Sequence, residues 1–382
     1  MDRILFISSI FPNQINRSAG PYNVHQVRGL VDDGVAVDVI SPISAYLAIK
    51  HKCSSTEQLN GSVVYYPRLY HIPGYFRNLN GFFYLAAIYR ICSMLHAQHN
   101  YKAIFSTWLY PDSWAASVLA KRLQLPLYVK VHGSDVNCLD PRTFTGKKAL
   151  ETVSRAQKTF CVSQALKEKL VELDAAPERL ELLYNGIDHA CFKLADWSSV
   201  CRQLKVSPDR QRILFVGNIK GTKGVFDLLD AFLPLAGDSK YSQVDLVYVG
   251  SGGDLEELKG QVSAYGLEQR VSFMAPVAAV GVAMWMNAAS LLCLPSHMEG
   301  VPNVILEALC CDLPVVATNV GGVPEIAAMD DRISLVELGG SAGLKEALGA
   351  CLLHPPQSGK RGRFSSWEEN VAVLKSFLLQ SD

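Results

Sequence analysis

The chain has 382 residues, 49% of them hydrophobic and 19% charged, and its formal net charge is zero. Such a length exceeds one ordinary core and such a composition excludes disorder, so two folded domains are expected. Zero net charge leaves no global field to recruit nucleic acid, yet residues 1–190 carry 20 Lys+Arg against 15 Asp+Glu and the remainder 16 against 21; an ordinary solvated surface accounts for so small an imbalance better than the alternative of anionic partners or a membrane face for the first half.

In chain order, the sequence opens directly into "RILFISSI" (3–10), a strand with no basic stretch ahead of it, so no secretory signal is expected. "VAVDVIS" and "VVYYP" follow as strands. The segment "YHIPGYFRNLNGFFYLAAIYRICSML" (70–95) then sets Phe76, Phe82, Phe83, Tyr84 and Tyr89 beside Arg77 and Arg90. Aromatics mixed with cations suit a membrane edge, and a buried helix is the alternative. Its apolar run, "GFFYLAAIY", falls far short of the roughly 20 residues that span a bilayer. The chain is therefore expected in the cytoplasm, at most peripheral on the inner membrane face.

"AIFSTW", "LYVKVHG" and "KTFCVS" complete the first series of strands. A second series begins at Arg212, after the polar stretch 188–211, with "RILFVGN", "VDLVYVG", "VSFMAPV", "SLLCLPS" and "LPVVATN". Continuous apolar strands separated by helix-length segments indicate parallel sheets covered on both faces. The fold class is α/β, with two doubly wound Rossmann-like domains, residues 1–190 and 191–355, facing across a cleft where a ligand would bind. In the final segment, 356–382, Trp367, Val371 and Leu374 give "FSSWEENVAVLKSFLL" one apolar helical face.

Ten cysteines occur without a CxxC pair, and Cys310-Cys311 sit inside an apolar run. Buried free thiols fit better than a disulfide frame or a zinc site. A dinucleotide cofactor would require G-x-G-x-x-G after a strand, but the first strand is followed by Gly20 alone. "VGSGGDLEEL" has Gly250 and Gly252, with Leu255 where a third glycine belongs. A dehydrogenase is excluded on that ground. The stretch "HMEGVPNVILEALCCDLPVVATNVGGVPEI" (297–326) is more informative. Glu299 follows a strand, Pro302 suits a first helical turn, and Glu307 falls inside the helix. The Asn303 and Val304 amides at such a helix end could hold a phosphate. Two carboxylates around it could accept hydrogen bonds from hydroxyls on either side of a diphosphate; two solvated glutamates are the plainer alternative.

"EGVPNVILE" resembles the Glu-x7-Glu motif of retaining glycosyltransferases with the GT-B fold, in the large family 4. The likeness continues through "PVVATNVGGVPE", "FVGNIKGTKGVFDLLDAF", "YVGSGGDLEELK", "CVSQALKEKL" and "LLYNGID" in the family's order. "YPDSWAASVLAK" and "KVHGSDVN" are similar to the branch that builds cell-surface polysaccharides, including teichuronic acid.

This resemblance implies a retaining hexosyltransferase that moves a sugar from a nucleoside-diphosphate sugar to a saccharide or polyprenyl-linked acceptor. Glu307 would bind the ribose, Glu299 the transferred sugar, and Lys223 the diphosphate. Gly20 and the Gly300-Val301-Pro302-Asn303-Val304 stretch would approach the phosphates. His132 would reach the donor sugar from the first domain, and Asn185, Asn218 and Lys220 would complete the donor site. Asp135 could instead cap the following segment. Without an Asp-x-Asp motif, neither metal nor other cofactor is expected, and protein cations and helix amides would carry the leaving-group charge. In family members the C-terminal helix crosses back to the first domain. Two positions depart from the pattern: Asn218 stands where arginine is usual, with Lys220 as its stand-in, and Asp312 stands where glycine is common. An inactive nucleotide-sugar-binding scaffold subunit and a GT-B sugar-nucleotide epimerase are the alternatives.

Overall fold

The computed structural model describes residues 2–17, 19–70, 77–356 and 359–380. The chain forms two compact units, one of Met1–Gly186 with Ser365–Asp382, the other of Ile187–Phe364. The sequence reading put the divisions after residues 190 and 355; the structure moves both. Ile187 and Phe192 are buried, His189 bonds the Phe364 carbonyl at 3.0 Å, and Asn287 holds the Lys193 carbonyl and the Ala195 amide. Gly362 donates its amide to Asp330 at 2.9 Å. Local hydrogen bonding therefore draws 187–190 and 359–364 into the second unit.

In the first unit the strands are β1 (Arg3–Ile7), β2 (Ala36–Ile40), β3 (Ile43–Ser44), β4 (Thr56–Leu59), β5 (Ser62–Tyr65), β6 (Arg68–Leu69), β7 (Ala103–Thr107), β8 (Leu127–Val131), β9 (Lys158–Cys161) and β10 (Leu180–Leu182). Eight of them form one sheet in the order β10-β9-β8-β7-β1-β2-β5-β4, while β3 pairs with β6. All neighbours in the large sheet run parallel except β4 and β5, a hairpin closed by Asn60-Gly61 at φ 52° and 76°. Every residue of β7 and β8 is buried, as expected for strands covered on both sides. Tyr84, Ile88 and Leu95 of helix Asn80–His99 cover one face with Trp114 and Leu119. Val27 and Leu30 of helix Pro21–Asp32 cover the other, together with Val371, Leu374 and Leu378 of helix Trp367–Leu378.

The last helix is thus part of the first unit's core. It begins with a capping box, in which Ser366 accepts from the Glu369 amide and the Glu369 side chain reaches back. Tyr84 is wholly buried, as the buried-helix alternative expects, while Phe82 and Tyr89 are 46% and 39% exposed. Phe83 is half-buried, and Phe76 lies outside the described residues.

The second unit has β11 (Gln211–Val216), β12 (Val244–Val249), β13 (Val271–Met274), β14 (Leu291–Leu294), β15 (Val315–Thr318) and β16 (Ile333–Val336). They form one parallel sheet ordered β13-β12-β11-β14-β15-β16. Strand order reverses between β1 and β7 in the first unit and between β11 and β14 in the second. Such reversal points leave an opening at the carboxyl ends of the two strands, where doubly wound sheets bind ligands.

Candidate functional site

In the second unit the loops after β11 and β14 bring two expected residues together. Lys223 closes the turn Gly221–Lys223 after β11, and Glu299 lies between β14 and helix Asn303–Cys310. Lys223 Nζ donates to Glu299 Oε1 at 2.6 Å. Glu299 is the more enclosed partner, its side chain 11% exposed. The Glu299 loop is clasped from both sides. On one, His297 donates its amide to the Thr222 carbonyl at 3.0 Å. On the other, Gly322 donates to the Gly300 carbonyl at 2.6 Å, and Gly321, at φ 55°, presses so closely that a Cβ there would run into the Glu299 carbonyl. That approach explains why Gly-Gly follows β15.

Helix Asn303–Cys310 differs in one detail from the sequence reading. Pro302 is not in the first turn but immediately before it, at φ −75° and ψ 112°, because its extended ψ keeps it outside the helix. Gly300, Val301 and Pro302 are buried, while Asn303 and Val304 are half-buried; first-turn amides have no acceptor within their own helix. Glu307 sits one turn further along. Burial pushes its carboxyl up to about 7. The Cys310 thiol near it is pushed up to about 11, by burial first and in part by the Glu307 charge.

Asn218 and Lys220 are both exposed on the loop after β11, with Ile219 buried between them. This loop is moored to residues 251–254. Ile219 donates to the Ser251 carbonyl at 2.9 Å, and Asp254 Oδ2 accepts from the Gly221 amide at 2.7 Å. Gly250 and Gly252 therefore face the β11 loop and not a dinucleotide. Asp254 escaped the sequence reading, as did Asp227, which bonds His297 Nε2 at 2.6 Å; both are long-range contacts with no spacing signal.

The first unit gathers its own polar cluster at the ends of β1, β7 and β8. Gly20 is left-handed at φ 57° and precedes helix Pro21–Asp32; a Cβ there would strike the Ile10 carbonyl. His132 follows β8, and its ring lies 4.1 Å from that of Tyr22. Its Nε2 is buried without a hydrogen-bond partner. Burial, reinforced by the Lys130 charge, holds it well below the usual imidazole range, so it is neutral at pH 7. Asp135 does not cap the following helix, whose cap is Gly133; it accepts from the His132 and Gly133 amides at 3.1 and 2.9 Å. Burial raises it to about 6. Asn185 accepts from Lys130 Nζ at 2.8 Å. Lys130 is fully buried in β8, which pulls its ammonium down to about 7. No group of three or more His, Cys, Asp or Glu with metal-binding geometry occurs among the described residues.

Comparison with known proteins bears on this arrangement. Residues 19–190 match the model of Glycosyltransferase Family 4, and residues 210–354 match that of Glycosyl transferases group 1. The candidate teichuronic acid biosynthesis glycosyltransferase TuaC of Bacillus subtilis is 26% identical over 366 residues, covering 91% of this chain and 88% of TuaC. N-acetyl-alpha-D-glucosaminyl L-malate synthase of Bacillus anthracis is 25% identical over 66% of each chain. Among solved structures, sucrose-phosphate synthase from Thermosynechococcus elongatus superposes with a TM-score of 0.77 at 20% identity, covering 100% of this chain and 97% of that one. Anabaena HepE in complex with UDP gives 0.69 at 21% identity, covering 100% and 96%; the same protein is also known in complex with UDP-glucose. Each half of this chain thus matches a glycosyltransferase model, and the whole is a glycosyltransferase of the GT-B type.

Proposed function

We propose that this glycosyltransferase transfers a sugar, with retention, from a nucleoside-diphosphate sugar to a saccharide or lipid-linked acceptor in cell-surface polysaccharide biosynthesis. The observation that carries the reading is the Lys223–Glu299 pair at the β11/β14 reversal, followed one helix turn later by Glu307. The UDP and UDP-glucose bound by HepE and the naming of TuaC support the donor and acceptor classes.

In this reading Glu307 accepts the ribose hydroxyls and Glu299 those of the sugar. Lys223 turns from Glu299 toward the diphosphate as the glycosidic bond breaks and negative charge builds on the leaving oxygen. A lysine serves there as a compact point charge, assisted by the Asn303 and Val304 amides. Lys220 takes the place of the arginine that Asn218 lacks. In the same reading Gly20, Asn185 and the neutral His132 contact the donor. The acceptor attacks the face that the diphosphate vacates, its proton passing to the departing phosphate oxygen, so no protein nucleophile and no metal are required. The protein acts in the cytoplasm, peripheral on the inner membrane face.

The test is thermal stabilisation by UDP-glucose, UDP-N-acetylglucosamine, GDP-mannose and ADP-glucose, followed by turnover of the best binder. One sugar nucleotide should raise the melting temperature, turnover should survive EDTA, and NMR should show a product with the donor's anomeric configuration. Inversion refutes the stereochemistry, a requirement for added divalent ions refutes the charge assignment, and binding without turnover favours the scaffold reading.

A further inference from the structure

The turn that carries Gly20 is held from below by Asp112, a residue of "YPDSWAASVLAK" to which the resemblance assigns no role. After β7 the chain makes an irregular passage, with Trp108 at φ 77°, a region costly for a bulky side chain. Tyr110 anchors this passage to the start of helix Asn80–His99: its hydroxyl donates to the Asn78 carbonyl at 2.6 Å and accepts from the Gly81 amide at 2.9 Å. The passage ends by pointing Asp112 at the end of β1. Asp112 is fully buried, and its Oδ2 accepts from both the amide and the hydroxyl of Ser9, at 2.6 and 2.7 Å. Next to this clamp, Asn23 donates to the Ile10 carbonyl at 2.7 Å, the same carbonyl against which Gly20 is pressed. Thr107 donates to Ser8 Oγ at 2.8 Å. The buried Tyr84 hydroxyl also bears on the Asp112 carboxyl, without a hydrogen bond of good geometry, so the carboxylate carries a desolvation cost that these groups and the Ser9 bonds only partly offset; burial raises it to about 7.

We propose that Asp112 is a positioning residue: by gripping both donors of Ser9 it fixes the β1 turn so that Gly20 meets the donor diphosphate in one geometry. The proposal rests on the donor-site reading above. A fully buried carboxylate is an expensive way to hold a loop for stability alone, since an apolar side chain of the same volume would avoid the desolvation.

Hydrogen exchange and steady-state kinetics on the full chain test this, using whichever of the four sugar nucleotides above stabilises the wild type most. In Asp112→Ala, exchange at residues 9–23 should quicken while β11–β15 keep their protection, and kcat/KM should fall about 100-fold, the scale on which small misplacements act. Asp112→Asn retains an oxygen for the Ser9 donors and should recover to within about 10-fold of wild type. Ser9→Ala removes one of the two donors and should fall between them; it and the Asn variant decide the matter if the Ala variant does not fold. Quickened exchange with unchanged kcat/KM in any folded variant would make Asp112 merely structural and overturn the proposal, as would unchanged exchange. A wild type that turns over no sugar nucleotide defeats the donor-site reading instead, and the exchange result then still reports whether the clamp exists.

Discussion

Glu307 shows how burial converts a sequence motif into a titration. Burial raises its carboxyl to about 7, so the folded protein holds a proton that the unfolded chain releases above its ordinary range near 4.5. Its contribution to stability is therefore greatest at low pH and is lost as pH rises from about 4.5 to about 7. Asp135, at about 6, and Asp112, at about 7, slope the same way. Glu307→Gln removes the ionisation, so its melting temperature relative to wild type should rise between pH 5 and pH 8. Ribose hydroxyls favour the ionised carboxylate. Nucleotide binding should therefore expel a fraction of a proton near pH 6.5, measurable by calorimetry in two buffers of different ionisation heat. Equal heats in both buffers would remove Glu307 from the ribose. Glu307, Glu299 and Lys223 were legible because each lies in a local pattern of spacing and flanking glycines. Asp112, Lys130 and Ser9 were not: "YPDSW" assigns no role to a lone aspartate, and a lysine in the middle of β8 reads as a break in an apolar strand. Their meaning comes from partners 103 and 55 positions away.

At the scale of elements, apolar runs located the long strands, since strands covered on both faces need no alternation. The sequence reading passed over β4. Its "TEQL" is polar and only half-covered at the sheet edge, and the Asn60-Gly61 turn that announces the hairpin was the stronger sign. Asp312 illustrates an element boundary. It follows helix Asn303–Cys310 at φ 62°, the left-handed position where glycine commonly ends a helix. Asp312 adopts that position while its Oδ1 accepts from Arg332 at 2.8 Å and Arg361 at 2.6 Å. These contacts tie the returning segment 359–364 to the second unit and supply what glycine could not. Asp312→Ala loses both the tolerance for positive φ and the ion pairs, and should cost about 1–3 kcal/mol in chemical denaturation. Asp312→Gly keeps the backbone geometry and should cost less. Equal costs would mean that the arginine pairs, which both variants lose, and not the turn fix this boundary. Leu374 is buried in the first unit's core beside Val27 and Leu30, so Leu374→Ala should cost about 2–5 kcal/mol. In hydrogen exchange the loss should appear first in β1, β2, β7 and β8; unaltered protection there would show that the last helix is dispensable to that core.

For the molecule as a whole, the proposed lipid-linked acceptor requires a chain without a membrane-crossing helix among its described residues to reach a membrane by its surface. Helix Asn80–His99 is two-faced. Tyr84, Ile88, Cys92 and Leu95 are buried, whereas Phe82, Tyr89 and Met94 are exposed. Between this helix and the β6 segment runs a groove of about 640 Å³, lined by Pro67, Tyr70, Phe83 and Met94 with Arg68 and Arg90 among them. Helix Ala45–Lys50 exposes Tyr46 and Ile49 in the same unit. Single exposed apolar side chains need no explanation, but several of them mixed with arginines resemble the composition of interfacial anchors. The hypothesis is that this face rests on an anionic leaflet, with apolar groups entering the headgroup boundary and the exposed Arg90 meeting phosphates, while Arg68 is held by the Cys53 carbonyl. Vesicles containing phosphatidylglycerol should sediment the protein at low salt, and binding should fade as salt approaches about 0.5 M, because screening shortens the reach of each charge to a few ångström. Arg90→Glu with Met94→Ser, both at exposed positions of this groove, should abolish sedimentation while leaving stabilisation by the sugar nucleotide unchanged, since neither residue belongs to the proposed donor site. Sedimentation that is indifferent to lipid charge, or that survives both substitutions, would return this face to the ordinary surface of an α/β sheet.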